Sequence, residues 1–208
     1  HLALLAALME APALIVATGD LVNTGTNTIQ YTDYAAAIAT STVPVFNVFG
    51  NHDIGGTTGN YRAFLGPDYY SFSYGNCHFL VVNSVYQTSL QSNWIDTDLR
   101  QLRGSKKLFI FQHYYPTESE HNRFAAFPAD AVFSGHWHSQ HSVQVGSMRS
   151  YNSPNLLFGG IDCSPAGFKI VSVDGSTLSS RVRYRADGRW IRIVSPNDSV
   201  ITPRLGMT

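Results

Sequence analysis

Seven residues whose types and spacing could do chemistry, Asp20, Asn51, His52, Asp53, His113, His136 and His138, stand in four short groups: Gly19-Asp20, Gly50-Asn51-His52-Asp53, His113, and Gly135-His136-Trp137-His138. A carboxylate, an amide oxygen and imidazoles together make a donor set suited to divalent and trivalent cations. Asp20 offers two oxygens and can bridge two ions, and Gly19 removes a Cβ so that backbone can come close. Asn51 contributes a neutral oxygen. His136 and His138 are two apart, a spacing that converges in an extended loop and diverges on a helix. His52, beside Asn51, is free to meet a substrate. A lone Gly-Asp turn or His-x-His is usually incidental; four such groups in order are not.

Each group follows a short apolar run: Leu14 to Thr18, Val45 to Phe49, Phe109 to Gln112, and Ala131 to Ser134. Loops beyond the carboxyl ends of strands are where open α/β sheets place ligands. Leu14 to Phe49 reads as a strand, a Gly/Asn/Thr turn, a helix over Ile29 to Ala39 and a strand over Pro44 to Phe49, a βαβ unit. A short helix after Asn60 leads into a hairpin of Tyr69 to Tyr74 and His78 to Asn83, turned at Gly75-Asn76. Ser89 to Arg103 is expected as a helix and Lys107 to Gln112 as a strand. Beyond Gln140 the helical pattern ends, and Val143 to Val145, Leu156 to Phe158, Phe168 to Val173, Leu178 to Tyr184 and Trp190 to Val194 read as short strands. One α/β domain over residues 1–208 with a β-rich C-terminal half is expected.

Composition narrows the partners. The 208 residues carry 14 Lys and Arg against 14 Asp and Glu, so no net field favours nucleic acid or an anionic membrane surface. A 44% hydrophobic content can supply a core, and no apolar run is long enough to span a bilayer. Only 13% of residues are charged, a low share that leans toward an extracytoplasmic setting. Cys77 and Cys163 allow one disulfide at most or two free thiols. Leu2 to Leu8 is apolar and Ala11-Pro12-Ala13 resembles a cleavage site, but Glu10 interrupts the stretch and no basic region leads it. A helix over Leu2 to Met9 and a strand over Ala13 to Ala17 are expected instead, with the chain expected to start in mid-fold.

The order Gly-Asp, Gly-Asn-His-Asp, His, Gly-His-x-His, from about Leu14 to His138, resembles the calcineurin-like metallophosphoesterase family. The hairpin Tyr70-Ser71-Phe72-Ser73-Tyr74-Gly75-Asn76 and the segment Trp94-Ile95-Asp96-Thr97-Asp98-Leu99 are similar to that family too. The resemblance implies a two-sheet α/β sandwich flanked by helices. It implies two divalent or trivalent transition-metal ions (Mn, Fe, Zn or Ni), with Asp20 bridging, Asn51, His113 and His136 completing one site, and His138 binding the other. His52 would be the catalytic histidine, oriented by Asp53. The implied reaction is hydrolysis of a phosphate ester, mono or diester, by a metal-bridging hydroxide attacking in line. The substrate would be small, and low local charge favours a diester or an uncharged remainder over a polyanion.

One departure bears on that expectation. The family's first motif, Asp-x-His at the end of its first strand, is absent, leaving one complete metal site and one held only by Asp20 and His138. One reading takes His1 as the motif's last residue, nineteen positions before Asp20 where a crossover needs about a dozen; against it, His1 runs directly into a helix. A missing central strand would leave unpaired backbone groups at roughly 1–3 kcal/mol each, so the strand is expected elsewhere. The alternative function is a catalytically impaired single-metal binding or interaction domain; a β-rich adhesion module would give no reason for the ligand order. His78 in its apolar strand, His121 in a polar loop and His141 are expected to be structural or solvated, and Tyr114, Tyr115 and Pro116 to line the pocket.

Overall fold

The computed structural model describes residues 2–102 and 106–185. His1 and the strand expected over Trp190 to Val194 lie outside the described residues. In chain order the elements are α1 (Leu2–Leu8), β1 (Ile15–Ala17), α2 (Thr28–Ile38), β2 (Val45–Asn47), α3 (Gly59–Leu65), β3 (Tyr70–Tyr74), β4 (Cys77–Val81), α4 (Ser89–Gln101), β5 (Lys107–Phe111), α5 (Glu118–Ala126), β6 (Ala131–Ser134), β7 (His141–Val145), β8 (Met148–Asn152), β9 (Gly167–Asp174) and β10 (Thr177–Tyr184). No helix among the described residues is long and apolar enough to cross a membrane.

The period-two alternation of the central strands explains the layering. In β5, Leu108 and Ile110 face one way and Phe109 and Phe111 the other, and β4 and β6 divide similarly. One set packs with Ile95 and Leu99 of α4 and Phe124 of α5. The opposite set packs with Val16, Val48 and Leu178, carried by or flanking β1, β2 and β10. A six-stranded mixed sheet, ordered β3-β4-β5-β6-β8-β7, is thus covered by helices on one face and by two ribbons, parallel β1-β2 and antiparallel β9-β10, on the other. This is the α/β sandwich with flanking helices that the resemblance implies. Glu10 takes the guanidinium groups of Arg181 and Arg183, tying the chain after α1 to β10.

Three segments depart from the expectation. His121 lies not in a polar loop but on α5, where it is buried and its Nε2 meets the Ser150 hydroxyl at 2.9 Å. The helix starts at a capping box: Thr117 Oγ1 accepts from Glu120 N, and the Glu120 carboxylate accepts from Thr117 N. β8 is hidden in sequence because it buries polar residues, Ser150 and Asn152, both fully enclosed and hydrogen-bonded. Leu156 to Phe158 forms no strand; it belongs to the loop between β8 and β9. Cys77 and Cys163 are both free thiols.

His78 is structural, as its setting in β4 suggests. Its Nε2 meets Asp98 Oδ2 of α4 at 2.9 Å, its Nδ1 meets Ser73 Oγ at 3.0 Å, and Ser71 Oγ donates to Asp98 Oδ1 at 2.7 Å. Burial raises the Asp98 pKa, but the His78 and Ser71 hydrogen bonds outweigh it and the net direction is down. A carboxylate depressed in the folded state stabilises fully above its unfolded pKa of about 3.9 and loses that contribution as pH falls through the folded value. Asp98→Asn is therefore expected to cost about 1–3 kcal/mol at pH 7. Urea unfolding at pH 7 and pH 3 checks this: the gap between variant and wild type should shrink at the lower pH.

Candidate metal centre

β1, β2, β5 and β6 end at one side of the molecule and deliver Asp20, Asn51, His113 and His136 from the loops that follow. Ligand atoms of Asp20, His113 and His136 all lie within 4.8 Å of one another. Asn51 Oδ1 is 3.0 Å from His113 Nε2, and Asp20 Oδ2 is 3.3 Å from the same nitrogen. His113 Nδ1 stands 2.8 Å from the Thr18 carbonyl, an acceptor only, so Nδ1 carries the proton. In the neutral ring Nε2 then aims a lone pair at two oxygens that are themselves acceptors. Three lone pairs converging on one point fit a cation. Burial above all lowers the His136 pKa, favouring the neutral imidazole that a metal needs. For Asp20 burial acts upward, but when His113 Nε2 carries a proton in place of a metal its bond and charge prevail, and the net direction is down.

Local sequence makes this convergence possible. A Cβ on Gly19, which has φ +97°, would stand 2.3 Å from His113 Nδ1, and one on Gly50 2.1 Å from Asp20 N. Asp20, His136 and His138 all adopt positive φ, at 56°, 60° and 46°, and make up three of the five non-glycine residues that do so among those described. Such backbone costs of order 1–3 kcal/mol per residue and concentrates where function requires it. Tyr114 packs edge-on against His136 with ring centroids 4.5 Å apart, and Tyr115 stacks on Trp137. His138 stands outside the compact Asp20, His113 and His136 group.

His52 is exposed. Its Nδ1 lies 3.0 Å from the Asn23 carbonyl, so Nδ1 holds a proton and Nε2 is the nitrogen that gains or gives one. The expectation that Asp53 orients His52 is corrected here. Asp53 is completely buried, and its carboxylate accepts from the backbone N–H groups of Asp20, Leu21, Val22 and Gly50 at 3.1, 2.8, 3.0 and 2.7 Å. It pins the Asp20 loop to the Gly50 turn. Burial pushes its pKa up to about 6, with the Asp20 charge adding to the rise and the N–H donors opposing it. The carbonyls of Thr18 and Asn23 also position site residues, and backbone acceptors leave no mark in a sequence.

Residues 2–140 match the calcineurin-like phosphoesterase family. The chain belongs to that family. Phosphoester hydrolysis is thus established at family level, and membership implies a metal-bearing centre. Curated relatives within this phosphoesterase group include serine/threonine-protein phosphatase CPPED1 of Bos taurus, 30% identical across 47% of this chain and 42% of the relative. The Pongo abelii protein of the same name is 29% identical across 61% and 54%. The chain spans about half the length of these relatives. Among solved structures, purple acid phosphatase PPD1 from yellow lupin (Lupinus luteus) superposes with a TM-score of 0.73 at 16% identity, covering 92% of this chain and 47% of that one. GAP50, the anchor in the inner membrane complex of Plasmodium, gives 0.66 at 13% identity, with 87% and 77% covered. At these identities the structural likeness concerns the phosphoesterase fold alone.

Asp53→Asn places a donor amide where four N–H groups point, and the Asp20 loop should loosen. Manganese affinity, read by calorimetry, is expected to fall about 10–100-fold. Unchanged affinity would show that these four hydrogen bonds do not set the ligand geometry.

Proposed function

We propose that this chain hydrolyses phosphate esters with metal ions held by Asp20, Asn51, His113, His136 and His138, and with His52 as the acid. The observation that supports this most is the convergence of Asp20 Oδ2, Asn51 Oδ1 and His113 Nε2, with His136 beside them, at the carboxyl ends of four strands. Asp20, Asn51, His113 and His136 would hold one cation, and Asp20 with His138 a second. Mn, Fe, Zn or Ni suits the mixed oxygen and nitrogen set. Bound there, such ions supply Lewis acidity toward a phosphoryl oxygen and a water whose pKa is brought toward neutrality.

The chain's own residues set the rest. Asp20 Oδ1 accepts the His52 backbone N–H at 2.9 Å, so the ligand carboxylate also fixes where the His52 loop sits. The Asn23 carbonyl holds the His52 ring with Nε2 outward, from where the proton passes to the departing alkoxide. Asp53 stays out of proton transfer and keeps the two ligand loops in register. The CPPED1 relatives are named as serine/threonine-protein phosphatases, so phosphoserine and phosphothreonine monoesters are candidates beside the diesters that the low local charge favours.

A second reading is a single-metal binding domain without turnover. It draws on one observation, that His138 stands outside the compact group.

His52→Ala separates these readings. In protein reconstituted with manganese, turnover of a phosphoserine peptide and of bis(4-nitrophenyl) phosphate is expected to fall by about 10²–10⁴. Bound metal per chain, measured by elemental analysis, should not change. Metal loss in the variant would make His52 a ligand, and absence of turnover in fully loaded wild type would favour the binding domain.

A further inference from the structure

The loop joining β8 to β9 holds apolar side chains in water beside the metal centre. Phe158 is 84% exposed, Ile161 81% and Leu157 68%. Isolated exposed apolar residues are ordinary, but a contiguous group marks a contact surface. Backbone contacts join this loop to the ligand loop. The Ile161 N–H donates to the His138 carbonyl at 2.8 Å, and the Gln140 N–H donates to the Asp162 carboxylate at 3.2 Å. A Cβ on Gly160 would stand 2.6 Å from the His138 carbonyl oxygen, so the approach is as close as the chain permits.

Trp137 supplies a further apolar surface. It lies between His136 and His138 in sequence, is half exposed, and stacks on Tyr115 with centroids 4.2 Å apart. The ligand loop therefore joins an aromatic pair to an exposed aliphatic and aromatic turn. No Lys or Arg occurs within five positions of Asp20, Asn51, His52, His113, His136 or His138; the charges at the β8–β9 loop are Asp162 and the Arg185 guanidinium, which is engaged by the Leu156 carbonyl at 2.8 Å. A site built this way offers metal ligands for the phosphoryl group and, on the adjoining loop, apolar side chains for the rest of a substrate.

We propose that Leu157, Phe158 and Ile161, with Trp137, recognise an apolar alcohol portion of the phosphate ester, aryl or alkyl. The inference rests on the phosphoesterase reading for where the phosphoryl group binds. It adds that the favoured substrates carry an apolar group next to the ester rather than a sugar, a nucleotide or a polyanion.

Two phosphonates that cannot be hydrolysed test this apart from turnover. Manganese-loaded protein is titrated calorimetrically with methylphosphonate and with phenylphosphonate. Wild type is expected to bind the phenyl compound about tenfold more tightly or better, from burial of the ring. The Phe158→Ser/Ile161→Ser double variant keeps the Ile161 backbone N–H and should bring that ratio to about one, leaving methylphosphonate and manganese binding unchanged. Both side chains are exposed, and the single Phe158→Ser variant, with a partial loss, supports the result independently. Equal affinities in wild type, or a preference that survives the double variant, overturns the proposal. Phenylphosphonate binding that persists after chelation also overturns it, by separating the surface from the metal centre. Binding of wild type, but not the variant, to phosphatidylcholine vesicles without phosphonate discrimination would assign the surface to lipid and overturn it too. If discrimination holds while no ester is hydrolysed, the hydrolytic reading fails and this one stands.

Discussion

The site depends on one buried carboxylate. Asp53 collects four backbone N–H groups from two loops that leave different strands, and so ties the Asp20 loop to the Gly50 turn. Hydrogen bonds to an ionised acceptor are stronger than neutral ones, and four of them can offset much of the cost of burying the charge. Tyr31 closes the arrangement from below, donating its hydroxyl to the Asp53 carbonyl at 2.6 Å. Around it Val22, Phe49 and Tyr61 form a small apolar cluster that keeps water from competing for those N–H groups. The metal ligands thus sit on a polar knot wrapped in aromatic side chains.

Strain and support are matched along the ligand set. Asp20, with φ 56°, is held by the N–H bond it gives to Asp53 and by the His52 N–H it receives. His136 and His138 lack such a carboxylate. Their loop is held instead by Gly135 N–H to the His113 carbonyl at 3.0 Å, Ile161 N–H to the His138 carbonyl, and Asn152 Nδ2 to the Ser139 carbonyl at 2.6 Å. These contacts come from three separate parts of the chain, so a left-handed conformation that would relax in isolation is over-determined here.

What could be read from sequence divides along physical lines. Asp20, Asn51, His113 and His136 are legible because metal chemistry restricts residue type and strand ends restrict position. The central strands are legible because Leu108 and Ile110 alternate with Phe109 and Phe111. β8 is not, since its buried faces hold Ser150 and Asn152, whose burial only makes sense once His121, Ser134 and the Ser139 carbonyl are in place. α5 was within reach: Thr117-Glu118-Ser119-Glu120 is a capping-box pattern, and its apolar content is too thin to announce a helix alone. Asp53 misleads for a different reason. Adjacency to His52 suggests partnership, but neighbouring residues in a turn point in different directions, and only the fold shows that the carboxylate turns inward while the imidazole turns out.

That divergence of His52 and Asp53 clarifies how the site can separate its tasks. A proton donor must exchange with solvent and substrate, whereas a loop anchor must not. Placing Asp53 fully inside and His52 at the surface, in consecutive positions, lets one short turn serve both without the anchor's charge acting directly on the ring. The His52 ring answers instead to the neutral Asn23 carbonyl, which fixes its tautomer and adds no formal charge. A carboxylate in that place would hold the imidazolium more firmly and make it a poorer acid toward a departing alkoxide. The carbonyl contact therefore suits a group that must give up its proton, and ties the orientation of His52 to the same loop that Asp53 secures.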